Sequence, residues 1–172
     1  MVNLKRILFP TDFSECADAA AAYACDLANR YDAELLVLHV IHDATLDVPD
    51  FGMGLAFPGY LENIPQRRKE ITSAVQQSLD LLISKFPEGS KAANGHVKFG
   101  SPISEILEFA ETQNIDLIVM GTHGRTGFSH AILGSVAERV LRHAQCAVLT
   151  IRGDQVDGAA TPDNKNDDET SD

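Results

Sequence analysis

The sequence predicts an α/β protein, an open sheet of five parallel strands with helices packed on both faces. Three observations carry that prediction. Five short apolar runs alternate with segments of helical periodicity, and strands that alternate with helices lie parallel in one sheet. The run Glu34 to Ile41 is nearly continuous in Leu, Val and Ile, without the alternation of a half-exposed strand, so it is buried on both faces and central. At 172 residues and 44% hydrophobic, the chain can bury roughly two-thirds of its unfolded surface in one core but has no room for a second domain.

The elements follow in order. Ile7-Leu8-Phe9, within Lys5 to Phe9, forms the first strand, and Pro10-Thr11-Asp12 ends it in a turn. Ser14, or Asp12 with Glu15 three residues on, caps the helix that follows. There Ala17, Ala20, Ala21, Ala24, Leu27, Ala28 and Tyr31 recur at helical spacing, a stripe small enough to bring the helix very close to the sheet. After the second strand, residues 43 to 59 hold three glycines and two prolines, Pro49 and Pro58, and are too long for a tight connection. A lid, a contact loop and a mobile segment all fit that composition.

Pro65 to Phe86 places Ile71, Val75, Leu79, Leu82 and Phe86 on one stripe closed by Pro87, which predicts the longest helix. His96 to Phe99 forms a short strand, and Ser101-Pro102 supplies a cap and a first-turn proline for a helix with Ile103, Ile106, Leu107 and Ala110 inward. Leu117 to Met120 is the fourth strand, Ser135 to Ala144 a helix, and Cys146 to Ile151 the last strand. From Gly153 the chain has almost no large apolar residue and is expected to form a disordered acidic tail, which sets residues 1–152 apart as the folded domain and 153–172 as its appendage.

Charge narrows the function. Of a formal charge of −11, residues 153 to 172 hold −6, from seven acids and one lysine, which leaves −5 for residues 1 to 152. An acidic surface repels the phosphates of nucleic acid and of anionic lipid, so neither is expected as a partner. A single nucleotide differs, because a few well-aimed backbone donors hold it without net positive charge. No basic and apolar leader opens the sequence, and the apolar stretch Leu35 to Ile41 is far short of the ~18 residues of a membrane span. Cys16, Cys25 and Cys146 are odd in number and widely spaced, without a C-x-x-C pair, which argues against a disulfide framework or thiolate zinc site and for a reducing cytoplasm.

The informative segment is Met120-Gly121-Thr122-His123-Gly124-Arg125-Thr126-Gly127, directly after the fourth strand, with Gly134-Ser135-Val136-Ala137-Glu138 opening the next helix. Ser135 and Glu138 form an S-x-x-E capping-box pattern, which places the helix N-terminus at Ser135 and turns its amides towards the Gly121 loop. Glycines let a backbone approach a ligand closely, unpaired N–H groups point inward and the helix dipole favours negative charge, which suits a polyphosphate. In a parallel sheet the ligand sits beyond the carboxyl ends of the strands where their order reverses, and Pro10 to Asp12 face that crevice. Asp12 is then a candidate for a ribose hydroxyl or a metal ion. Glycines after a strand also serve plain turns, and neither a Walker loop ending in Gly-Lys-Ser/Thr nor a G-x-G-x-x-G element after the first strand is present.

Other residues invite weaker readings. His39 and His42 are three apart, a helical spacing at a strand end, so hydrogen-bonded histidines are expected there and no metal. His123 and Arg125 sit in the glycine loop; His123 is a phosphate candidate, while Arg125 fits a solvated charge equally well. Arg67-Arg68-Lys69 is expected to be a solvated helix face. Cys16 lies in the first turn of the first helix, where the dipole can lower a thiol pKa, though a small buried apolar role is commoner.

These residues resemble the universal stress proteins, whose ATP-binding members carry G-x2-G-x9-G-(S/T); Gly121, Gly124, Gly134 and Ser135 match it in full. The resemblance extends over about residues 4 to 152 and includes Ile7-Leu8-Phe9-Pro10-Thr11-Asp12-Phe13-Ser14, Leu36-Val37-Leu38-His39-Val40, Asp116-Leu117-Ile118-Val119-Met120-Gly121 and Ala147-Val148-Leu149. It implies a Rossmann-like, adenine nucleotide alpha hydrolase-like sheet of order 3-2-1-4-5. It further implies ATP, with or without Mg²⁺, bound by Pro10, Thr11, Asp12, Val40, Met120, Gly121, Thr122, His123, Gly124, Gly134, Ser135 and Val136. Val40 would meet adenine through its main chain, Pro10 to Asp12 the adenosine, and the glycine segments the ribose and phosphates. The last strand, Cys146 to Ile151, would pair across a homodimer.

The expected function is therefore nucleotide-dependent regulation in stress rather than catalysis. A slow ATPase or nucleotidyl transferase using Asp12 or His123 with magnesium is one alternative. A structural dimer whose acidic tail recruits a partner is the other.

Overall fold

The computed structural model describes residues 3–42, 64–87, 93–122 and 133–153. The connection 43–59, the loop residues His123, Gly124 and Arg125, and the acidic segment after Gly153 lie outside the described residues.

Ile7, Leu8 and Phe9 are fully buried because the strand that carries them, β1 (Arg6–Pro10), lies at the middle of the sheet. β2 (Glu34–Ile41) and β4 (Leu117–Gly121) pair with it on either side, Ile7 standing opposite both Leu35 and Leu117. β3 (Asn94–Phe99) and β5 (Ala147–Ile151) complete an all-parallel sheet of order β3-β2-β1-β4-β5. The fold class and strand order expected from the sequence are those observed. Successive strands run outward from β1 through β2 to β3; the chain then crosses to the opposite side of β1 for β4 and β5. The carboxyl ends of β1 and β4 therefore lie where the order reverses, the position at which parallel sheets open a crevice.

Alternate strand residues divide between two cores. Ile7, Phe9, Leu35, Val37, Leu117 and Val119 pack beneath α1 (Glu15–Tyr31) and α2 (Ile64–Ile83). Leu8, Leu36, Leu38, Ile118 and Met120 pack beneath α3 (Pro102–Thr112) and α4 (Ser135–His143). The alanine stripe of α1 does what its size implies: Ala17, Ala20, Ala24 and Ala28 are buried, and the helix backbone rests on the end of β4. Ser14 is the N-cap, accepting the Ala17 N–H at 3.3 Å, while Asp12 Oδ1 takes the Ser14 N–H at 3.1 Å and closes the turn before it.

The amino ends of the strands are tied together by ionic groups. Asp116 Oδ2 accepts the Lys5 and Arg6 N–H groups at 2.7 and 2.9 Å, and the Arg6 guanidinium reaches the Gln113 carbonyl at 2.7 Å and Glu34 at 3.2 Å. Charge-assisted bonds of this kind lock that end, so that the open end of the sheet is the carboxyl end. No helix among the described residues is long and apolar enough to cross a membrane.

His96 on β3 lies against Phe109 of α3, ring centroids 5.0 Å apart, and its buried Nε2 has no hydrogen-bond partner among the described residues. Burial pushes its pKa below the ordinary histidine value, with Glu34 opposing the shift and Lys98 adding to it. A proton is then taken up more readily by the unfolded chain, so stability from this residue is complete above pH ~6.5 and is lost as the pH falls from there towards the lowered native value. Urea titrations between pH 7.5 and 5 are expected to show the midpoint falling below pH 6.5, with a shallower fall in His96→Gln.

Candidate functional site

At the carboxyl ends of β1, β2 and β4 the chain leaves a cleft of about 250 Å³, just below the roughly 300–1,000 Å³ usual for small-molecule sites. β1 and the turn beyond it contribute Pro10, Thr11 and Asp12; β2 contributes Leu38 and Val40. β4 runs into the cleft through Met120, Gly121 and Thr122, and α4 opens on it through Gly134, Ser135, Val136 and Ala137. α1 and α3 close it with Ala17, Pro102 and Ile106.

The two small-residue bends meet directly. The Gly134 N–H donates to the Thr122 carbonyl at 2.7 Å, and the Thr122 N–H donates to the Ile151 carbonyl at 2.8 Å, which fixes the end of β4 between α4 and β5. Gly134 is the N-cap, with φ −70° and ψ 155°, and its carbonyl accepts the Glu138 N–H at 2.9 Å. This corrects the expected capping box. Ser135 is the first helical residue rather than the cap, no side chain among the described residues caps α4, and Glu138 turns instead to Arg142 at 2.9 Å. A glycine cap carries no side-chain oxygen to cover the first amides, so the partial positive end of the helix opens into the cleft.

The remaining walls are apolar: Leu38, Val40, Pro102, Ile106, Met120 and Val136. Asp12 is the one carboxylate among the described lining residues, and Thr11 and Thr122 are the buried polar ones, 6% and 4% exposed. An apolar cleft beside a helix N-terminus and a tight glycine bend suits a ligand with an uncharged apolar end and an anionic end. None of the described lining residues is cationic, so among them backbone amides are the donors such an anionic end would meet.

A family profile, the universal stress protein family, matches residues 3–152. The chain belongs to the universal stress protein family. It is similar to universal stress protein MJ0531 of Methanocaldococcus jannaschii, with 38% identity over 148 residues that make up 86% of this chain and 82% of the relative. The solved structure of MJ0577 superposes with a TM-score of 0.70 at 26% identity, covering 88% of this chain and 97% of that one. The structure of a universal stress protein in complex with cAMP shares the fold at 19% identity and a TM-score of 0.59, over 88% of this chain and 99% of that one.

In this universal stress protein the cleft brings together ten of the twelve residues singled out by sequence; the other two, His123 and Gly124, lie outside the described residues. Sequence reasoning missed five lining residues, Ala17, Leu38, Pro102, Ile106 and Ala137. Leu38 shares a strand face with Val40 two residues on, and Ile106 shares a helix face with Pro102 four residues before it, so periodicity alone would have found both.

His39 and His42 are hydrogen-bonded as expected, His39 Nδ1 at 2.8 Å from the Thr11 carbonyl and His42 Nδ1 at 3.3 Å from that of Gly100. Cys16 Sγ lies 3.4 Å from the Ile151 carbonyl and packs against Gly121, filling the seam between α1 and the end of β4. Burial raises the thiol pKa of Cys146. Arg67, Arg68 and Lys69 are exposed on α2 as expected, and the Arg68 guanidinium also lies 5.0 Å from the centre of the Phe99 ring.

Proposed function

We propose that this universal stress protein binds an adenine nucleotide, ATP, in the cleft, and that it acts in the cytoplasm as a regulatory protein and not as an enzyme. The observation that carries the reading is the glycine-capped N-terminus of α4, joined through Gly134 to Thr122 and opening on a cleft with apolar walls. Adenine lies between Val40, Ile106 and Met120, and the phosphates meet amides of the Gly121 bend and of Ser135 and Val136. The G-x2-G-x9-G-S pattern across Gly121, Gly124, Gly134 and Ser135 supports ATP over a ligand without phosphates. Asp12 serves a ribose hydroxyl or a Mg²⁺ ion carried by the nucleotide.

Bound ATP is held, not consumed. Asp12 Oδ1 accepts the Ser14 N–H at 3.1 Å, a turn-shaping duty for the carboxylate of the cleft, and no second titratable side chain among the described lining residues stands beside it as an acid–base partner. The protein is a homodimer formed along β5, which among the described residues is hydrogen-bonded to β4 on one side and leaves its other edge to a second copy.

Calorimetric titration with ATP is expected to give one site per chain, with GTP much weaker, and phosphate release no faster than from Asp12→Ala. ATP at about 100 times Kd adds about 2.7 kcal/mol to stability, which an 18.6 kDa chain shows as a Tm rise of several degrees. Absence of both heat and Tm shift defeats the nucleotide reading. Sedimentation is expected to give twice the 18.6 kDa chain mass, and a monomer defeats the dimer.

A further inference from the structure

The turn after β1 is held from the far side of the sheet. Phe13 stands at φ 61°, a left-handed conformation that a bulky side chain disfavours, so the turn keeps its shape because its neighbours impose it. The Thr11 N–H donates to the Leu38 carbonyl at 2.9 Å, and the Phe13 N–H donates to Thr11 Oγ1 at 3.0 Å. The Thr11 carbonyl is met by His39 Nδ1 at 2.8 Å, and the same ring lies against Phe13 with centroids 4.7 Å apart and planes at 32°.

Side chains alternate along β2, so Leu38 faces the cleft while Val37 and His39 face α1. A carbonyl accepts and does not donate, so the hydrogen is on Nδ1. In a trans peptide the C=O and the following N–H point in opposite directions. A Thr11 carbonyl held on the α1 side therefore sends the Asp12 N–H towards the cleft.

We propose that His39 is a positioning residue of the cleft: from the opposite face of the sheet, its Nδ1–H orients the Thr11–Asp12 peptide so that the Asp12 amide is presented to the nucleoside. The inference rests on the nucleotide reading of the cleft and adds to it a residue that does not itself line the cleft. It separates two duties of one ring, a donor that aims the peptide and a flat surface that supports Phe13.

Two variants divide those duties. His39→Asn sets an amide donor where Nδ1 stood and removes the ring; His39→Phe keeps a ring and removes the donor. Calorimetry with adenosine and with ATP, alongside the Tm of each ligand-free variant, is the test. His39→Phe is expected to bind both ligands about tenfold more weakly, and by the same factor, because the turn meets the nucleoside and not the phosphates. His39→Asn is expected to stay within about threefold of the wild type even where its Tm is lower, the reverse of a purely structural role.

Long-range ¹H–¹⁵N spectra of the wild type, which require no variant to fold, are expected to show the Nδ1–H tautomer. His39→Phe binding within twofold of the wild type, equal losses in the two variants, or an Nε2–H tautomer overturns the proposal. A wild type that takes up neither adenosine nor ATP defeats the nucleotide reading and this proposal together, whereas a wild type that binds beside an unaffected His39→Phe defeats this one alone.

Discussion

Gly134→Asp is expected to fold more stably than the parent protein and to bind ATP at least about a hundredfold less tightly. The backbone at Gly134 has φ −70° and ψ 155°, an ordinary extended conformation that any L-residue adopts without backbone strain. Aspartate is a good N-cap: it covers the first amides of α4, complements the helix dipole and removes the conformational freedom of glycine from the unfolded chain. Together these contribute up to about 1 kcal/mol. The same carboxylate stands where phosphate oxygens are to be held. A like-charge pair at ~4 Å costs about 1–4 kcal/mol between bulk water and a surface-like dielectric, and the capped amides are no longer on offer. Urea midpoints and calorimetry give the two numbers separately, and ATP bound with parental affinity would place the phosphates somewhere other than α4. Gly134→Asn controls for bulk, since it caps without a charge and is expected to lose less.

Gly121→Ala is expected to weaken both the fold and the site. A Cβ there would stand 3.0 Å from the Cys16 carbonyl carbon, from its oxygen and from its Sγ. Two of those three atoms are main chain and cannot rotate away, so the first turn of α1 must move. Overpacking of this kind costs about 1–3 kcal/mol. The displaced turn begins beside Ser14, whose bonds shape the turn at Asp12, and carries Ala17 on the cleft wall, so ATP affinity is expected to fall about tenfold as well. Adding Cys16→Ala removes the Sγ contact alone and is expected to restore part of the stability. Full recovery in the double variant would show that the thiol and not the backbone sets the spacing.

The parallel sheet was legible because each strand is a dense apolar run and each helix has a small-residue or 3.6-residue stripe. Glu34–Ile41 lies inside the sheet as its unbroken apolarity implies, one place from the centre. The order 3-2-1-4-5 is different in kind. No single-chain periodicity distinguishes it from other parallel orders, and it followed from the resemblance to the universal stress proteins.

In the site, the glycine bends were legible because glycine at a strand end followed by a helix start has few uses. The cap was misplaced by one residue, since serine is the commoner N-cap and the S-x-x-E pattern fitted Ser135; only the bond from the Glu138 N–H to the Gly134 carbonyl decides it. Pro102 and Ile106 escaped notice because they read as an ordinary helix start and core position. Their place over the end of β2 is a tertiary fact. His39 was read correctly as hydrogen-bonded, but its partner, the Thr11 carbonyl, is 28 residues away and leaves no local signal.

In the proposed ATP complex, amides at the start of α4 and at the end of β4 hold the phosphates while the ends of β1 and β2 hold the base. ¹H–¹⁵N spectra of the labelled protein, titrated in parallel with ATP and with adenosine, test it amide by amide. Thr122, Ser135, Val136 and Ala137 are expected to shift strongly with ATP and little with adenosine, while Asp12 and Val40 shift with both. Shifts from ATP that spare α4 and the end of β4, or identical shifts from the two ligands, would contradict it.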